Sequence, residues 1–324
     1  MKRILVTGCA GFIGFHISKK LCEMEYLVVG IDNLNEYYDI ALKYGRLEEL
    51  KAIKSFHFAQ MDLRDTGDLH ELFGKYKFDL VLNLAAQAGV RYSFVNPQAY
   101  IESNITGFNN IISLAKEYNV AHFIYASSSS VYGKNTKVPF SESDDMEGQV
   151  SLYAQTKRAN ELEALRYSQT CGLCTTGLRF FTVYGPWGRP DMAPMLFMEA
   201  IANNQEIEVY NNGDLWRDFT YIDDLVNVVI KIIETDPDSA HPYQIYNIGN
   251  SSPVYLRDFI STMEEVIGKQ AKQVMKPMQQ GDVYKTYADT TLILNKFGIR
   301  PSTPIRTGIE RLWEWYRKKY LLEE

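Results

Sequence analysis

Metal chemistry has little to work with in this sequence. It holds four cysteines and five histidines in 324 residues. The histidines lack ligand spacing, and no second pair accompanies the one CxxC, Cys171 and Cys174, so a tetrahedral zinc set is not expected. "CGLCTTGLRF" reads as a helix end leading into a buried strand, with cysteines as small apolar fillers. Long apolar runs are also missing, and none reaches the roughly 18 residues a membrane span needs. Positive charge is short: 34 Lys and Arg stand against 40 Asp and Glu, a net charge of −6. That balance argues against a dedicated nucleic-acid binder. The opening "MKRILVTG" lacks the longer apolar stretch and cleavage site of a secretory signal. The expectation is a cytoplasmic protein that uses no metal, membrane or nucleic acid.

What the sequence does have is rhythm. Apolar residues make up 46% and charged residues 23%, as in an ordinary globular protein. "RILVT", "LVVGID", "FHFAQMD", "DLVLNLA", "HFIYAS" and "LCTTGLRF" are strand-like runs. Helical patterns at 12–25, 40–53, 66–75, 97–118 and 151–169 alternate with them. Runs apolar on both faces predict a parallel sheet covered on both sides, and right-handed crossovers make it doubly wound, a Rossmann-type α/β fold. Beyond Arg179 the pattern turns irregular, with "TVYGPWGRPDMAP" dense in glycine, proline and aromatics. The expected layout is a dinucleotide-binding domain over 1–178 plus about 217–249. A smaller α/β substrate domain is expected over 179–216 and 250–324.

"VTGCAGFIGFHI" places Gly8, Gly11 and Gly14 between the first strand and the first helix. Such a turn lets the backbone approach a pyrophosphate and the helix pack close to the strand. Asp32 ends the second strand, eighteen residues beyond Gly14. A carboxylate there accepts hydrogen bonds from an adenosine ribose and repels a 2′-phosphate, which favours NAD over NADP.

"SLYAQTKRANE" sets Tyr153 and Lys157 four apart, on one face of a helix. Tyrosine titrates near 10 and is a poor base at neutral pH, but an adjacent ammonium favours its phenolate. That tuning suits a general base for alcohol oxidation. The serine row in "YASSSSVYG" follows a strand, and Ser128 at its end lies where such sheets bind ligands. With these motifs in this order, the chain resembles the extended short-chain dehydrogenase/reductase family over nearly its whole length.

The resemblance implies Ser128, Tyr153 and Lys157 as the catalytic set and NAD as the cofactor. Gly8, Gly11, Phe12, Ile13, Gly14, Asp32, Asn33, Asp62, Leu63, Leu84, Ala85, Ala86, Tyr153 and Lys157 would hold the cofactor. Asn104 would be a structural or cofactor-side residue. A UDP-sugar substrate would meet Gln87, Arg91, Ser127, Ser129, Ser130, Thr182, Arg189, Val209, Arg217 and Asp282. Within that set Arg217 would serve the diphosphate and Asp282 a nucleotide ribose. A homodimer is implied, through helices near 104–118 and 153–167.

Branches of this family oxidise C4 and then diverge. Dehydratases carry an Asp-Glu pair before the Val-Tyr-Gly, and glucuronate decarboxylases a Glu. Here Ser129 and Ser130 stand in those places, which favours epimerisation. "DNLNEYYDIALKYGRLEEL" and "LRFFTVYGPWGRPDMAP" resemble the UDP-glucuronate 4-epimerases. That branch interconverts UDP-glucuronate and UDP-galacturonate through a 4-keto intermediate with transient reduction of bound NAD. Thr182, Arg189 and the serines would then face the C5 carboxylate, for which the guanidinium fork is apt. A UDP-glucose/UDP-galactose 4-epimerase, a decarboxylase and a non-catalytic NAD-binding sensor are the alternatives.

Overall fold

The computed structural model describes residues 2–146, 148–279 and 281–322. Two compact units emerge. The first comprises Met1–Asn135, Asp144–Phe180 and Val229–Tyr246; the second comprises Thr136–Ser143, Phe181–Val228 and Asn247–Glu324.

In the first unit strands and helices alternate: β1 (Arg3–Thr7), α1 (Phe12–Glu23), β2 (Leu27–Asp32), α2 (Ile40–Lys51), β3 (Phe56–Gln60), α3 (Thr66–Tyr76) and β4 (Leu80–Asn83). Short helices α4 (Tyr92–Val95) and α5 (Pro97–Tyr100) lead through a π-helical turn, Ile101–Gly107, into α6 (Phe108–Glu117). Then follow β5 (His122–Ser128), a 3₁₀ turn (Ser129–Tyr132), α7 (Leu152–Cys171) and β6 (Thr175–Phe180). The seven-stranded sheet runs Tyr243–Ile248, β6, β5, β4, β1, β2, β3. The pairs β1–β2, β1–β4, β2–β3, β4–β5 and β5–β6 are parallel. This is the doubly wound order, with its reversal between β1 and β4, where such sheets open a crevice for ligands. Strands β4 and β6 are buried along their whole length. That is why neither sequence alternates between apolar and charged residues as a half-exposed strand would.

The expected helix over 97–118 is interrupted by the π-helical turn. A Cβ on Gly107 would meet Leu63 Cβ at 2.9 Å, so the helix lies close against the segment after β3. At the same turn Asn104 is drawn to the segment after β4, as described below. The cysteines of the CxxC straddle a boundary: Cys171 ends α7 and is exposed, and Cys174 is buried just ahead of β6.

The second unit holds β7 (Thr182–Tyr184), α8 (Ala193–Ala202), β8 (Glu206–Tyr210), β9 (Trp216–Arg217), β10 (Phe219–Tyr221) and the start of α9 (Ile222–Glu234). After β11 (Tyr243–Ile248) it continues through β12 (Val254–Tyr255), α10 (Leu256–Ile267), β13 (Lys272–Lys276), α11 (Thr291–Phe297) and α12 (Ile305–Tyr320). Its strands form two-stranded ribbons, β10–β7, β12–β9 and β13–β8. The boundary differs from the expected one: 217–228 and 247–249 belong to the second unit, and so does the excursion 136–143. Buried Asp218 explains part of this. It accepts backbone N–H bonds from Asn250, Ser251 and Ala288, tying β10 to the segments after β11 and before α11. The aromatic stripe of α12 is core in part, with Tyr316 buried. Among the described residues no helix is long and apolar enough to cross a membrane.

Candidate functional site

The turn after β1 is made by glycine because nothing larger fits. Gly8 has φ +70°, and a Cβ there would lie 2.8 Å from the backbone nitrogen of Ala85. On Gly14 it would lie 2.1 Å from Gly8 O, so α1 packs directly on the turn. Gly11 is the N-cap of α1 and brings no side-chain hydrogen bond to the helix N-terminus. Phe12 is buried and Ile13 half-buried behind it. The first-turn N–H groups and the positive end of the helix dipole are thus suited to a pyrophosphate.

Asp32, at the end of β2, is buried. Its carboxylate accepts from Leu34 N at 2.8 Å and Ala10 N at 3.2 Å. It also meets Lys43 Nζ at 3.3 Å, both side chains being about 6% exposed. Lys43 reaches Asn35 Oδ1 at 3.1 Å as well, and one turn on, Arg46 Nη1 donates to Ala10 O at 2.8 Å. The sequence reading missed this bracing of the acid and the glycine turn by α2. Its signal is a lysine and an arginine three apart among the leucines of the helix's buried face. Asn33 donates to Asp62 Oδ2 at 2.9 Å. Burial pulls the Asp62 carboxyl upward, but Arg64 and Asn33 outweigh it and leave the group below its ordinary value. Leu63, buried, follows on the same segment.

Across the crevice from β1 lies the segment after β4. Thr7 Oγ1 donates to Asn83 Oδ1 at 2.6 Å and accepts from Ala85 N at 3.0 Å. Leu84 N donates to Thr7 O, so Leu84, Ala85 and Ala86 are held beside the glycine turn. Asn104, from the π-helical turn, clasps the next residue: its Oδ1 accepts from Gln87 N at 2.8 Å, and its Nδ2 donates to Gln87 O at 3.0 Å. The same Nδ2 lies 3.0 Å from Thr156 Oγ1, and Asn104 O accepts from Asn160 Nδ2 at 2.6 Å. Gln87 Nε2 is buried without a hydrogen-bond partner among the described residues, an orphan donor that a ligand would satisfy. Arg91 is exposed at the start of α4. Glycine turn, braced acid and orphan amide together fit a dinucleotide.

Helix α7 begins at Ser151, whose hydroxyl accepts from Ala154 N at 3.2 Å. This cap fixes the first turn, where Tyr153 lies half-buried and edge-on to Tyr100. Lys157 is buried and its Nζ donates to Ala126 O on β5 at 2.8 Å. Burial lowers its pKa to about 8, with Glu161 acting in the opposite direction. Tyr153 thus sits in the first turn of a helix, one turn before a buried ammonium.

The serine row divides by position. Ser127 and Ser128 point to opposite faces of β5. Ser127, expected at the substrate, instead gives its hydroxyl to buried Glu161 at 2.6 Å. Ser128, 8% exposed, ends the strand and caps the 3₁₀ turn: its Oγ accepts from Ser130 N and contacts Ser130 Oγ, both at 3.2 Å. Ser129 and Ser130 are half-buried in that turn.

The second unit holds the remaining expected residues. Thr182 opens β7 half-buried. Arg189 forms a two-pronged pair with Asp191, at 3.0 and 2.5 Å. Arg217 Nη2 donates to Asp282 Oδ1 at 2.6 Å, so two residues expected at the nucleotide partner each other. Val209 is fully buried in β8. Beside Arg217, burial raises Asp218 to about 6 although three backbone N–H bonds pull the other way.

A sheet of this order, with an anion-ready first turn and a tyrosine one helical turn before a buried lysine, places the chain among the nicotinamide-dinucleotide enzymes. Residues 4–249 match the NAD dependent epimerase/dehydratase family, and the chain belongs to it. Over 98% of its length it is 46% identical to a Staphylococcus aureus protein named CapI, covering 99% of that protein. It is 43% identical to UDP-glucuronate 4-epimerase 2 of Arabidopsis thaliana, covering 98% of this chain and 76% of the relative. Among solved structures, the UDP-glucuronic acid 4-epimerase of Bacillus cereus, in complex with UDP-glucuronic acid and NAD, matches with a TM-score of 0.92. The two are 31% identical over 98% of this chain and 100% of that one.

Proposed function

We propose that the protein interconverts UDP-glucuronate and UDP-galacturonate by inverting C4. The carrying observation is Lys157, buried and anchored on Ala126 O, one turn from Tyr153 on a helix capped by Ser151. The glycine turn and Asp32 would hold NAD, which would supply a reversible two-electron acceptor for oxidation at C4. Tyr153 takes the proton of the C4 hydroxyl, and Ser128 steadies the oxygen as it becomes a carbonyl. The keto sugar then turns over about its diphosphate link; the hydride held by the cofactor would return to the opposite face of C4, and Tyr153 returns the proton to the C4 oxygen, giving the alcohol of inverted configuration.

The 4-keto uronate is a β-keto acid and loses carbon dioxide when its carboxylate bond aligns with the carbonyl π system. An epimerase must deny that alignment. Ser129 and Ser130 place no carboxylate beside Ser128, which agrees with epimerisation. Arg189 is the proposed partner of the sugar carboxylate, and to serve it must leave Asp191. Arg217 and Asp282 are proposed for the diphosphate and the nucleotide ribose.

Incubation of the purified protein with UDP-glucuronate should give UDP-galacturonate without pentose. UDP-pentose and carbon dioxide would instead indicate a decarboxylase, and turnover of UDP-glucose alone a neutral-sugar epimerase. We also propose a cytoplasmic homodimer. Phe94, Val95, Ile101 and Leu162 of the first unit are exposed apolar residues on or beside the expected helices. A monomer in light scattering would refute the dimer.

A further inference from the structure

The first unit buries one carboxylate that this chemistry does not use. Glu161, fully buried on α7, lies one turn beyond Lys157 and two beyond Tyr153. Positions four and eight apart lie along one side of a helix. Its Oε1 accepts from Ser127 Oγ at 2.6 Å and from Arg179 Nε at 2.9 Å. Its Oε2 accepts from Arg179 Nη2 and Arg158 Nη1, each at 3.0 Å. Arg179, 1% exposed on β6, reaches on through Nη1 to the Tyr132 hydroxyl at 3.0 Å. Its guanidinium carbon also lies 5.0 Å from the Tyr132 ring centre.

These contacts join the elements that carry the proposed catalytic set. Ser127 pairs with Arg179 in register and Ser128 with Phe180, so β6 runs alongside the serine end of β5. Tyr132 ends the turn that carries Ser129 and Ser130. Tyr153 and Lys157 ride on the helix that carries Glu161. Stability alone does not account for such a choice. A buried ion pair is costly to desolvate, and apolar residues of similar volume often serve a fold as well. The pair adds direction, because a guanidinium fork and a carboxylate meet in one geometry.

We infer that Glu161, acting with Arg179, is a positioning residue for the reaction, fixing Ser128 and the serine turn against the helix that carries Tyr153 and Lys157. The inference rests on the reading of Tyr153 as the base. The charged and titratable groups around Glu161 are Lys157 and Arg158 of α7, Arg179 of β6, Tyr125 of β5, Tyr132 of the serine turn and Tyr243 of the edge strand. Glu161 is the acid of this set and supports the charged form of Lys157 against burial.

The test compares Glu161→Gln, the double variant Glu161→Met with Arg179→Met, and Ser127→Ala with the unsubstituted protein. Turnover of UDP-glucuronate, equilibrium binding of NAD and thermal unfolding are measured for each. Glu161→Gln should lower kcat about 10- to 100-fold, less than the roughly 10²- to 10⁴-fold of losing the base itself, because the residue acts through others. KM and NAD affinity should stay within about threefold, and the alkaline limb of the kcat profile should move to lower pH. A weaker support for Lys157 predicts that shift, whereas a smaller folded fraction lowers activity equally at every pH. The double variant, with no charge left stranded, should fold, bind NAD and remain slow. Ser127→Ala should fold and lose severalfold in kcat. A folded double variant with the original kcat and pH profile overturns the proposal. So does a loss in Glu161→Gln that follows the folded fraction with an unmoved profile. Should Glu161→Gln fail to fold, the double variant and Ser127→Ala decide. Absence of turnover in the unsubstituted protein refutes the underlying reading instead.

Discussion

The two units hold their charges differently. In the first, Glu161 and Arg179 are 0% and 1% exposed and join a helix to a strand eighteen residues away in sequence. In the second, Arg189 and Asp191 are 19% and 31% exposed and join positions two residues apart in a loop. A pair that links regular elements fixes distances between them; a pair inside a loop orders only the loop. Arg217 and Asp282, 15% and 26% exposed, are intermediate, linking β9 to a distant segment. The contrast suits a division of labour. Proton transfer tolerates little misplacement, while choice among substrates is more readily varied on loops.

The sharpest way to break this division is Tyr153→Phe. Turnover should fall by about 10²- to 10⁴-fold, the usual span for a removed general base. NAD binding, measured by titration, should hardly change, since Gly8, Gly14 and Asp32 are untouched. Substantial residual turnover would move the chemistry out of the first unit. Next in size is Asp32→Ala. It removes the proposed ribose acceptor and strands Lys43 as a buried charge. Breaking such a pair typically costs about 3 kcal/mol or more. NAD affinity should drop about tenfold or more, and the melting temperature of the cofactor-free protein should fall. Adding Lys43→Met should recover stability but not NAD affinity, because the stranded charge goes while the acceptor stays absent.

The first unit was largely legible in sequence because a parallel sheet writes itself in short range. Most strands show as short strand-like runs and each helix has its period, so a doubly wound parallel sheet followed from crossover rules, while the strand order came only with the structure. The glycine turn, Asp32, Tyr153 and Lys157 were visible because their chemistry depends on local spacing. Glu161, Arg179, Lys43 and Asn104's clasp on Gln87 depend on partners tens of residues away or on the far end of a long side chain. Their signals were faint: an arginine inside the strand-like "TTGLRF", and a glutamate repeating the spacing of Tyr153 and Lys157. In the second unit even boundaries slipped, since Asp218 gathers three separate segments and no single stretch announces that.

Acidity sharpens the comparison from another side. Lys157 titrates at about 8 in the folded chain, against 10.5 as its ordinary value. The support we propose it gives a Tyr153 phenolate is present below about pH 8 and lost as pH rises through it, so kcat should decline there. Stability runs the other way. Between about pH 8 and 10.5 the unfolded chain binds the extra proton at Lys157, so this residue's contribution to stability rises with pH. The two trends, on the order of tenfold in rate and about 3 kcal/mol in stability, should appear as opposite slopes in kcat profiles and denaturant melts. In Lys157→Met both pH-dependent contributions should vanish; a parallel loss of rate and stability in the original protein would point to alkaline unfolding.

The smallest expected effect belongs to the loop pair and tests the second half of the comparison. Asp191→Asn weakens one partner of Arg189 without touching a regular element. If Arg189 serves the sugar carboxylate, freeing it should lower KM for UDP-glucuronate about threefold and leave any UDP-glucose turnover unchanged. Arg189→Met should do the reverse, raising KM for the acidic sugar about tenfold, the worth of a partly exposed charge-assisted contact. Melting temperatures of both variants should stay within about 2 °C of the original, because a half-exposed pair contributes little to folding. Equal changes for acidic and neutral sugars would show that the loop arginine does not read the carboxylate. A large fall in melting temperature would show instead that this loop is braced like the core of the first unit, and the contrast between the two units would disappear.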